Sequence, residues 1–450
     1  MRRLRQQFVQ GSGVGLHNVL AAHELEQAVQ SYAGEYRDRV YPPLRTLALF
    51  MSQALSQDGA CQDAVARHVS ERSGRGMAPC SLSTGPYCKA RGRLPTELVL
   101  QLQRQVGRHL VQRLPQGWRW RARSVKLLDG TTVSMPDTPA NQAVFPQYLR
   151  QKPGLGFPLA RVVGILCLGS GAVLDWAMGP YQGEDSSEAA LFRTLLDALE
   201  VGDILLADRY YCSYWVLAML QARGIDLLTR QHASRLYDFR RGQRLGRGDH
   251  IVRWKRPPRP HWMDQQTYAT MPEALSVREV RVGGRVLVTT LIDPGLATPA
   301  ELDWLYQQRW HVELDLRSIK IAIGMDILRC KSPEMIRKEV AVHLLAYTLV
   351  RAVMAQAANL GGVLARALSF KAALQLLNAY HQQLRHSAGA RACMMISHVL
   401  GAMALLRLHL RPGRVEPRAI KRRPKPHRLL TEPRSVARAA IIAHRANALR

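Results

Sequence analysis

The sequence predicts an α/β fold: a mixed β-sheet covered by helices on both faces, carrying a β-rich insertion and flanked by helical regions. Three observations lead to this prediction. Between residues 119 and 345, short apolar runs typical of strands alternate with helical patterns. A basic, β-rich stretch at 235–298 interrupts that order, and apolar residues at helical spacing fill much of 1–118 and 346–410. Finally, continuous apolar runs such as DILLA at 203–207 suit strands that are buried on both faces.

The charge of the chain indicates a polyanionic partner. The 450 residues, enough for two or three domains, include 63 Lys and Arg against 34 Asp and Glu, which gives a net charge of +29. Nucleic acid is the usual partner of such a protein. An anionic membrane is disfavoured, because no uncharged apolar run reaches the roughly 18–20 residues of a spanning helix. The basic amino terminus lacks the apolar segment of a signal peptide.

The cysteine pattern predicts reduced thiols and a cytoplasmic protein. There are seven cysteines, an odd number, and no two of them are in C-x-x-C spacing. This usage disfavours both a zinc site and a disulfide framework.

Residues 1–118 are predicted to form a helical DNA-binding region. Lys89, Arg91 and Arg93 cluster just before a long helix that begins near Pro95. These bases either contact phosphates or form a solvated basic face. The whole-chain charge favours DNA for the region as a unit.

Two aspartates close predicted strands. The first strand starts at Val125, places Leu127 and Asp129 on one face, and is expected to end at Gly130. The apolar run of the fourth strand leads directly into Asp208. If these two strands are neighbours, the two carboxylates lie side by side.

Three other aspartates are weaker candidates for chemistry. Asp137 sits in a Pro-flanked loop, Asp203 opens its strand instead of closing it, and Asp175 lies in the middle of a predicted hairpin. We interpret the first as a turn residue and leave the other two as less suitable positions.

A helix predicted at 306–320 gathers several polar side chains. At about 100° per residue, Tyr306, Arg309, Glu313 and Lys320 fall within about 60° of one another beside an apolar stripe, and Asp315 points away. On an isolated surface helix, Arg309 and Glu313 would be an ordinary i,i+4 pair worth roughly 0.2–0.5 kcal/mol.

The same four residues match a known signature. Tyr306, Arg309, Glu313 and Lys320 resemble the Y-R-E-K signature of bacterial DDE transposases of the insertion-sequence-4 type. Asp129-Gly-Thr-Thr and Ala207-Asp208-Arg209 resemble that family's two aspartate motifs, and the stretch 83–91 resembles its amino-terminal region.

The resemblance implies a ribonuclease-H-like catalytic domain at 119–345, interrupted by the insertion at 235–298. It implies that Asp129, Asp208 and Glu313 are catalytic and hold two Mg²⁺ (or Mn²⁺) ions per active site. Carboxylates are the ligands that such hard cations prefer, and two ions can activate water and stabilise a leaving oxygen.

The resemblance also implies roles around the triad. Tyr306, Arg309 and Lys320 would bind DNA phosphates. In the family a tryptophan of the insertion stacks on a flipped base, and both Trp254 and Trp262 lie in the right region, so the choice between them stays open.

The expected function is DNA transposition: cleavage at insertion-sequence ends and strand transfer into target DNA. The expected partners are double-stranded DNA, as terminal inverted repeats and target, and a second copy of the chain in a synaptic complex, through the helical region 346–410. A basic tail at 411–450 would bind phosphates, and the protein would act at the bacterial nucleoid. Two alternatives remain, a non-catalytic DNA-binding protein derived from an inactive element and a ribonuclease-H-like nuclease without strand transfer.

Overall fold

The computed structural model describes residues 16, 19–36, 39–56, 58–385, 387, 389–408 and 429–448. The predicted basic tail falls partly outside these ranges, because 409–428 and 449–450 are not among them.

One mixed β-sheet organises the molecule. Within the described ranges it has nine strands: β1 (Val125–Ser134), β2 (Leu159–Cys167), β3 (Val173–Pro180), β4 (Ile204–Ala207), β5 (Asp226–Arg230), β6 (Gln243–Gly246), β7 (Asp249–Lys255), β8 (Ala274–Val282) and β9 (Arg285–Thr289). Their spatial order is β3-β2-β1-β4-β5-β9-β8-β7-β6. Strands β1, β4 and β5 run parallel, and every other neighbouring pair is antiparallel.

Helices precede, cover and follow the sheet. Those before the first strand are α1 (Ala22–Ala33), α2 (Pro43–Leu55), α3 (Cys61–Gly74), α4 (Gly85–Arg93) and α5 (Thr96–Gln112). Those between strands are α6 (Pro139–Val144), α7 (Glu188–Arg193), α8 (Tyr214–Gln221) and α9 (Gln265–Thr270). Those after the last strand are α10 (Pro299–Gln307), α11 (Trp310–Arg317), α12 (Pro333–Leu360), α13 (Phe370–Arg385), α14 (Gly389–Leu405) and α15 (Arg434–Ala448).

Two apolar cores lie on opposite faces of the sheet. Leu127 and Leu206 join the core that includes α5 and α11–α14, and Leu128 and Leu205 join the core that includes α7 and α8. Neighbouring residues of a strand point to opposite faces, so these runs must be apolar throughout. The prediction of a mixed α/β sheet with helices on both faces is confirmed.

Helix α12 is the central helix of the larger core. By length and composition alone it could cross a membrane, but 89% of its most apolar window is buried inside the protein. Its apolar surface is therefore covered by the rest of the chain.

Several predicted boundaries were wrong. Strand β1 continues past Gly130 to Ser134, because Thr131 and Thr132 extend its antiparallel pairing with β2. The basic segment before Pro95 is itself helical, as α4. The predicted basic tail at 411–450 is helical after Pro433, where the sequence becomes alanine-rich and forms helix α15.

The insertion is part of the main sheet. Its last strand, β9, pairs with β5, through Thr229 and Val288 for example. Strands β6 to β9 all lie within 235–298, and they extend the sheet instead of simply interrupting the order of its strands.

Candidate active site

The two predicted aspartates lie at the same level on neighbouring parallel strands, Asp129 within β1 and Asp208 directly after β4. Leu127 of β1 is the register partner of Leu206 of β4, and Asp129 and Asp208 each lie two residues further along. The pairing of β1 with β4 stops at this point, so the carboxylates stand where the two strands part. The condition set for the two aspartates, that their strands be neighbours, is met.

Backbone contacts fix both carboxylates. Oδ1 of Asp208 accepts a hydrogen bond from the amide of Tyr210 at 2.8 Å and caps a short 3₁₀ turn. The hydroxyl of Thr229 on β5 donates to the carbonyl of Asp208 at 2.7 Å. Oδ1 of Asp129 accepts from the amide of Gly130 at 2.8 Å.

Glu313 reaches this place through Arg309. The Arg309 guanidinium lies 2.7 Å from Oε1 of Glu313 and 3.7 Å from Oδ2 of Asp129. One cation thus bridges the carboxylate of helix α11 and that of strand β1. The expected continuous helix is instead tightened here, with i→i+3 hydrogen bonds from Arg309 to Tyr306 and from Val312 to Arg309, and it ends in a π-helical turn at Ser318–Ala322.

The pKa of Asp129 is raised by burial and by repulsion from neighbouring carboxylates. Its pKa is raised from 3.8 to about 6, mainly by burial and also by the negative charges of Glu188 and Asp208, whereas the Gly130 amide and Arg309 oppose the rise. A carboxylate in this position favours a bound proton or a cation.

Glu188 is a fourth carboxylate beside the site, and the sequence analysis did not select it. A Cβ on Gly130 would lie 2.7 Å from its carboxyl carbon, so the glycine leaves room for this group. Tyr211 donates to Oε2 of Glu188 at 3.4 Å, and Arg161 lies 3.9 Å from Oε1. Its position in the first turn of a helix directly after β3 is the one signal that could have drawn attention to it.

Comparison with known proteins places the chain in a family. The model of the transposase DDE domain matches residues 120–349, about half of the chain. The chain belongs to the DDE-domain transposase family. It is 27% identical over 348 residues to the transposase InsG of insertion sequence element IS4 from Escherichia coli K12, covering 72% of this chain and 76% of that protein. A solved piggyBac transposase synaptic complex with hairpin DNA aligns over 92% of this chain and 89% of its own, with 8% identity and a TM-score of 0.44.

The transposase anchors its Glu313 helix through a buried ion cluster. Asp315, expected to point away from the functional stripe, is fully buried and lies 2.5 Å from Arg351 and 2.6 Å from Arg366. Tyr347 donates to the same carboxylate at 2.8 Å. Arg366 also donates to the carbonyl of Cys167 at the end of β2, so one cluster ties α11 to α12 and to the sheet.

The remaining signature residues occupy different depths. Tyr306 is only 7% exposed, and burial raises its pKa, with Arg309 as a hydrogen-bond partner and Asp208 nearby. Lys320 is half-buried in the π-helical turn. Among the described residues, no salt bridge joins Lys320 to the carboxylates.

The two candidate tryptophans differ in accessibility. Trp254 is 4% exposed, its indole donates to Glu279 at 3.0 Å, and Arg235 covers its ring at 3.6 Å. Trp262 is half-buried, with Arg193 over its ring at 3.9 Å. The structure thus makes Trp262 the more accessible of the two.

The three less suitable aspartates have other surroundings. Asp203 is buried 3.6 Å from Lys126, and Asp175 lies 3.0 Å from Arg104. Asp137 is exposed and accepts from Gln142 at 2.8 Å.

The basic cluster of α4 is divided. Lys89 and Arg93 are exposed. Arg91 bonds to Gln53 at 3.1 Å and lies over the rings of Phe50 and Tyr87 at 4.7 and 5.3 Å. Of the three bases, Lys89 and Arg93 remain available for phosphates.

The DDE transposase family is expected to use a divalent metal ion, and the side chains of the site can be compared with the ligands that such an ion needs. Among the described residues, no three His, Cys, Asp or Glu side chains lie close enough together to hold an ion. The donors nevertheless have the right chemistry, since they are carboxylates on neighbouring elements, and the Arg309 guanidinium already supplies a positive charge between two of them. The residue types therefore suit a divalent cation, although in this structure Arg309 takes the place between Asp129 and Glu313.

Proposed function

We propose that this transposase cuts DNA at the ends of its insertion sequence and joins the freed 3′-hydroxyl to target DNA, with Asp129, Asp208 and Glu313 as its catalytic residues. The observation that carries the proposal is the placement of the two aspartates at one level, just past the last paired residues of the neighbouring parallel strands β1 and β4, with Glu313 linked to Asp129 through Arg309.

The order of the first five strands supports a ribonuclease-H-like catalytic domain. An antiparallel meander of β1, β2 and β3 is followed by β4 and β5, which add to the other side of β1 in parallel. Ligand sites of such sheets lie beyond the carboxyl ends of the parallel strands. Asp208 lies directly beyond β4, and Asp129 lies on β1 just past the last residue that pairs with β4.

Asp129, Asp208 and Glu313 would hold the divalent ions, Mg²⁺ or Mn²⁺, two per active site. When bound, such ions activate the attacking water and stabilise the leaving oxygen of a phosphodiester. The protein's own contribution is to fix the carboxylates through the amides of Gly130 and Tyr210 and to present them where the strands part.

When DNA binds, Arg309 would exchange its carboxylate partners for a phosphate. In this structure it is held by carboxylates. Its planar donors equally suit a bidentate contact with a phosphate. Tyr306 would position Arg309 through their hydrogen bond, and Lys320 would add a point charge beside the scissile strand. Trp262 is the residue that we propose for stacking on an extruded base.

We further propose that the protein works on double-stranded terminal repeats and target DNA as a homodimer, through the helical region 346–410. The net charge of +29 supports binding to DNA. Its place of action would be the bacterial cytoplasm, at the nucleoid.

The test is an in vitro assay with the DNA ends that flank the gene, scored for 3′-strand nicking and joining with Mg²⁺ and with chelator. Asp129→Asn, Asp208→Asn and Glu313→Gln should each abolish both steps but keep end binding. Asp137→Asn is the matched control and should retain activity.

The other possible results of this assay would each support a different function or site. Nicking by the three variants would refute the assignment of the triad. Nicking without joining would favour a nuclease, and tight end binding without nicking by the unsubstituted protein would favour a non-catalytic DNA-binding protein.

A further inference from the structure

A large basic groove begins beside the candidate active site. A cavity of about 970 Å³ lies between α2, the π-helical turn at 318–322, α12 and α13. Four cationic side chains line it, and all four are exposed: Arg67, Arg317, Arg329 and Lys371. We call this cavity the α2–α13 groove.

The charges of the α2–α13 groove are largely uncompensated. Arg67 pairs with Asp63 at 2.9 Å. Within the part of the chain that the structure describes, no salt bridge engages Arg317, Arg329 or Lys371. The one carboxylate in the lining, Glu339, accepts the amides of Arg329 and Cys330 at 2.9–3.0 Å, so backbone donors offset its charge. Around one cavity, three cationic side chains without a salt bridge in the described part of the chain favour the binding of a polyanion.

The groove continues the line of the catalytic helix. Arg317 is four residues after Glu313 on α11, and side chains at this spacing are neighbours, with Cβ atoms roughly 5–6 Å apart. A DNA strand whose scissile phosphate lies beside Glu313 therefore has Arg317 within one helical turn, and Arg317 also lines the groove.

The size and the rim of the groove favour one strand. Its volume is at the upper end of the roughly 300–1,000 Å³ of small-ligand pockets, which suits a few nucleotides and excludes a duplex. Ile321 and Ile327 are 68% and 65% exposed at its edge, and apolar side chains can contact bases that have left the stack.

We propose that the α2–α13 groove binds the single-stranded DNA that leaves the catalytic carboxylates, with Arg317, Arg329 and Lys371 on its phosphates. This inference rests on the proposed transposase function and adds the path of one strand to it.

The experiment measures the salt dependence of end binding in chelator, where no cutting occurs. Two probes are compared: a blunt end duplex and the same duplex with a single-stranded extension on the scissile strand. For Arg329→Gln and for Lys371→Gln, the slope of log affinity against log salt should become shallower by about 0.7 on the extended probe, which is the value for one phosphate contact on a single strand. On the blunt probe the slope should not change.

Arg223→Gln is the matched control, because Arg223 is also exposed and follows α8, which packs in the core on the opposite face of the sheet. It should leave both slopes unchanged. Equal effects of the groove variants on both probes, or an equal effect of Arg223→Gln, would overturn the proposal. If the unsubstituted protein binds neither probe, the proposed function fails instead, and the two failures are distinct.

Discussion

Asp129→Asn should stabilise the metal-free protein. Asp129 lies among Glu188, Asp208 and an apolar core, and the pKa of its carboxyl rises to about 6. Above that pH the folded protein must hold an unfavourable negative charge that the unfolded chain carries freely in water. Asparagine keeps the shape of the side chain and removes the charge.

The size of the effect follows from the two pKa values. A carboxyl whose pKa is 3.8 unfolded and about 6 folded costs about 3 kcal/mol at pH 7, at about 1.36 kcal/mol for each pKa unit. The side chain is 21% exposed, so solvent screening makes this an upper value. Because the folded-state pKa is raised, the cost is small near pH 4, grows as the pH rises from about 4 to about 6, and levels off above that.

The assay is urea unfolding in chelator at pH 4, 5, 6 and 7. The free energy of unfolding of Asp129→Asn should exceed that of the unsubstituted protein by about 2–3 kcal/mol at pH 7 and by less than about 1 kcal/mol at pH 4. Adding Mn²⁺ should close the gap at pH 7, since the ion then compensates the charge.

Asp137→Asn is the control, because that carboxylate is exposed. Its free energy of unfolding should change by no more than about 0.5 kcal/mol at any of these pH values. A difference for Asp129→Asn that is equal at pH 4 and pH 7, or a loss of stability at pH 7, would refute the reasoning.

Three further predictions follow from the same contacts. Asp315→Ala should lower the free energy of unfolding by about 3–5 kcal/mol in urea titrations, because it leaves two buried guanidiniums without a partner. Glu188→Gln removes a charge that raises the pKa of Asp129. The pH at which half of the Mn²⁺ binding is lost should therefore fall, as measured from the electron paramagnetic resonance signal of free Mn²⁺. In the unsubstituted protein, nicking should decline as the pH drops below about 6, because a protonated Asp129 would no longer hold the proposed metal ion.

Each of these has a clear opposite. A loss of under about 1 kcal/mol for Asp315→Ala, against the Asp137→Asn control, would mean that the ion cluster is not structural. An unchanged midpoint for Glu188→Gln would show that its charge does not reach Asp129. Constant nicking from pH 7 down to pH 5 would contradict the raised pKa of the first aspartate.

Several features of the site could be predicted from the sequence because they depend on a few consecutive residues. The apolar lead-in to Asp208 and the alternation around Asp129 are properties of a few consecutive residues, and the parallel neighbours β1 and β4 place them together. The spacing of Arg309 and Glu313 is a property of one helix, and their ion pair is present.

What the sequence analysis missed depends on distant segments. Asp315 looked outward on its own helix, but Arg351 and Arg366, 36 and 51 residues away, bury it. In its own helix Glu188 has the pattern of a surface acid. Its place beside the site depends on Gly130, which has no side chain to fill that space. The pairing of β9 with β5 joins residues about 60 apart, and no periodicity within either strand encodes that partner.

That last pairing limits how the protein can be trimmed. Strand β5 carries Thr229, whose hydroxyl holds the backbone of Asp208, and its far edge is covered by β9 alone. A shortened enzyme made by excising 235–298 would turn β5 into a bare edge strand, open to pairing with other chains. Engineers seeking a compact gene-insertion tool should therefore keep β9, or supply a charged replacement strand, before removing the rest.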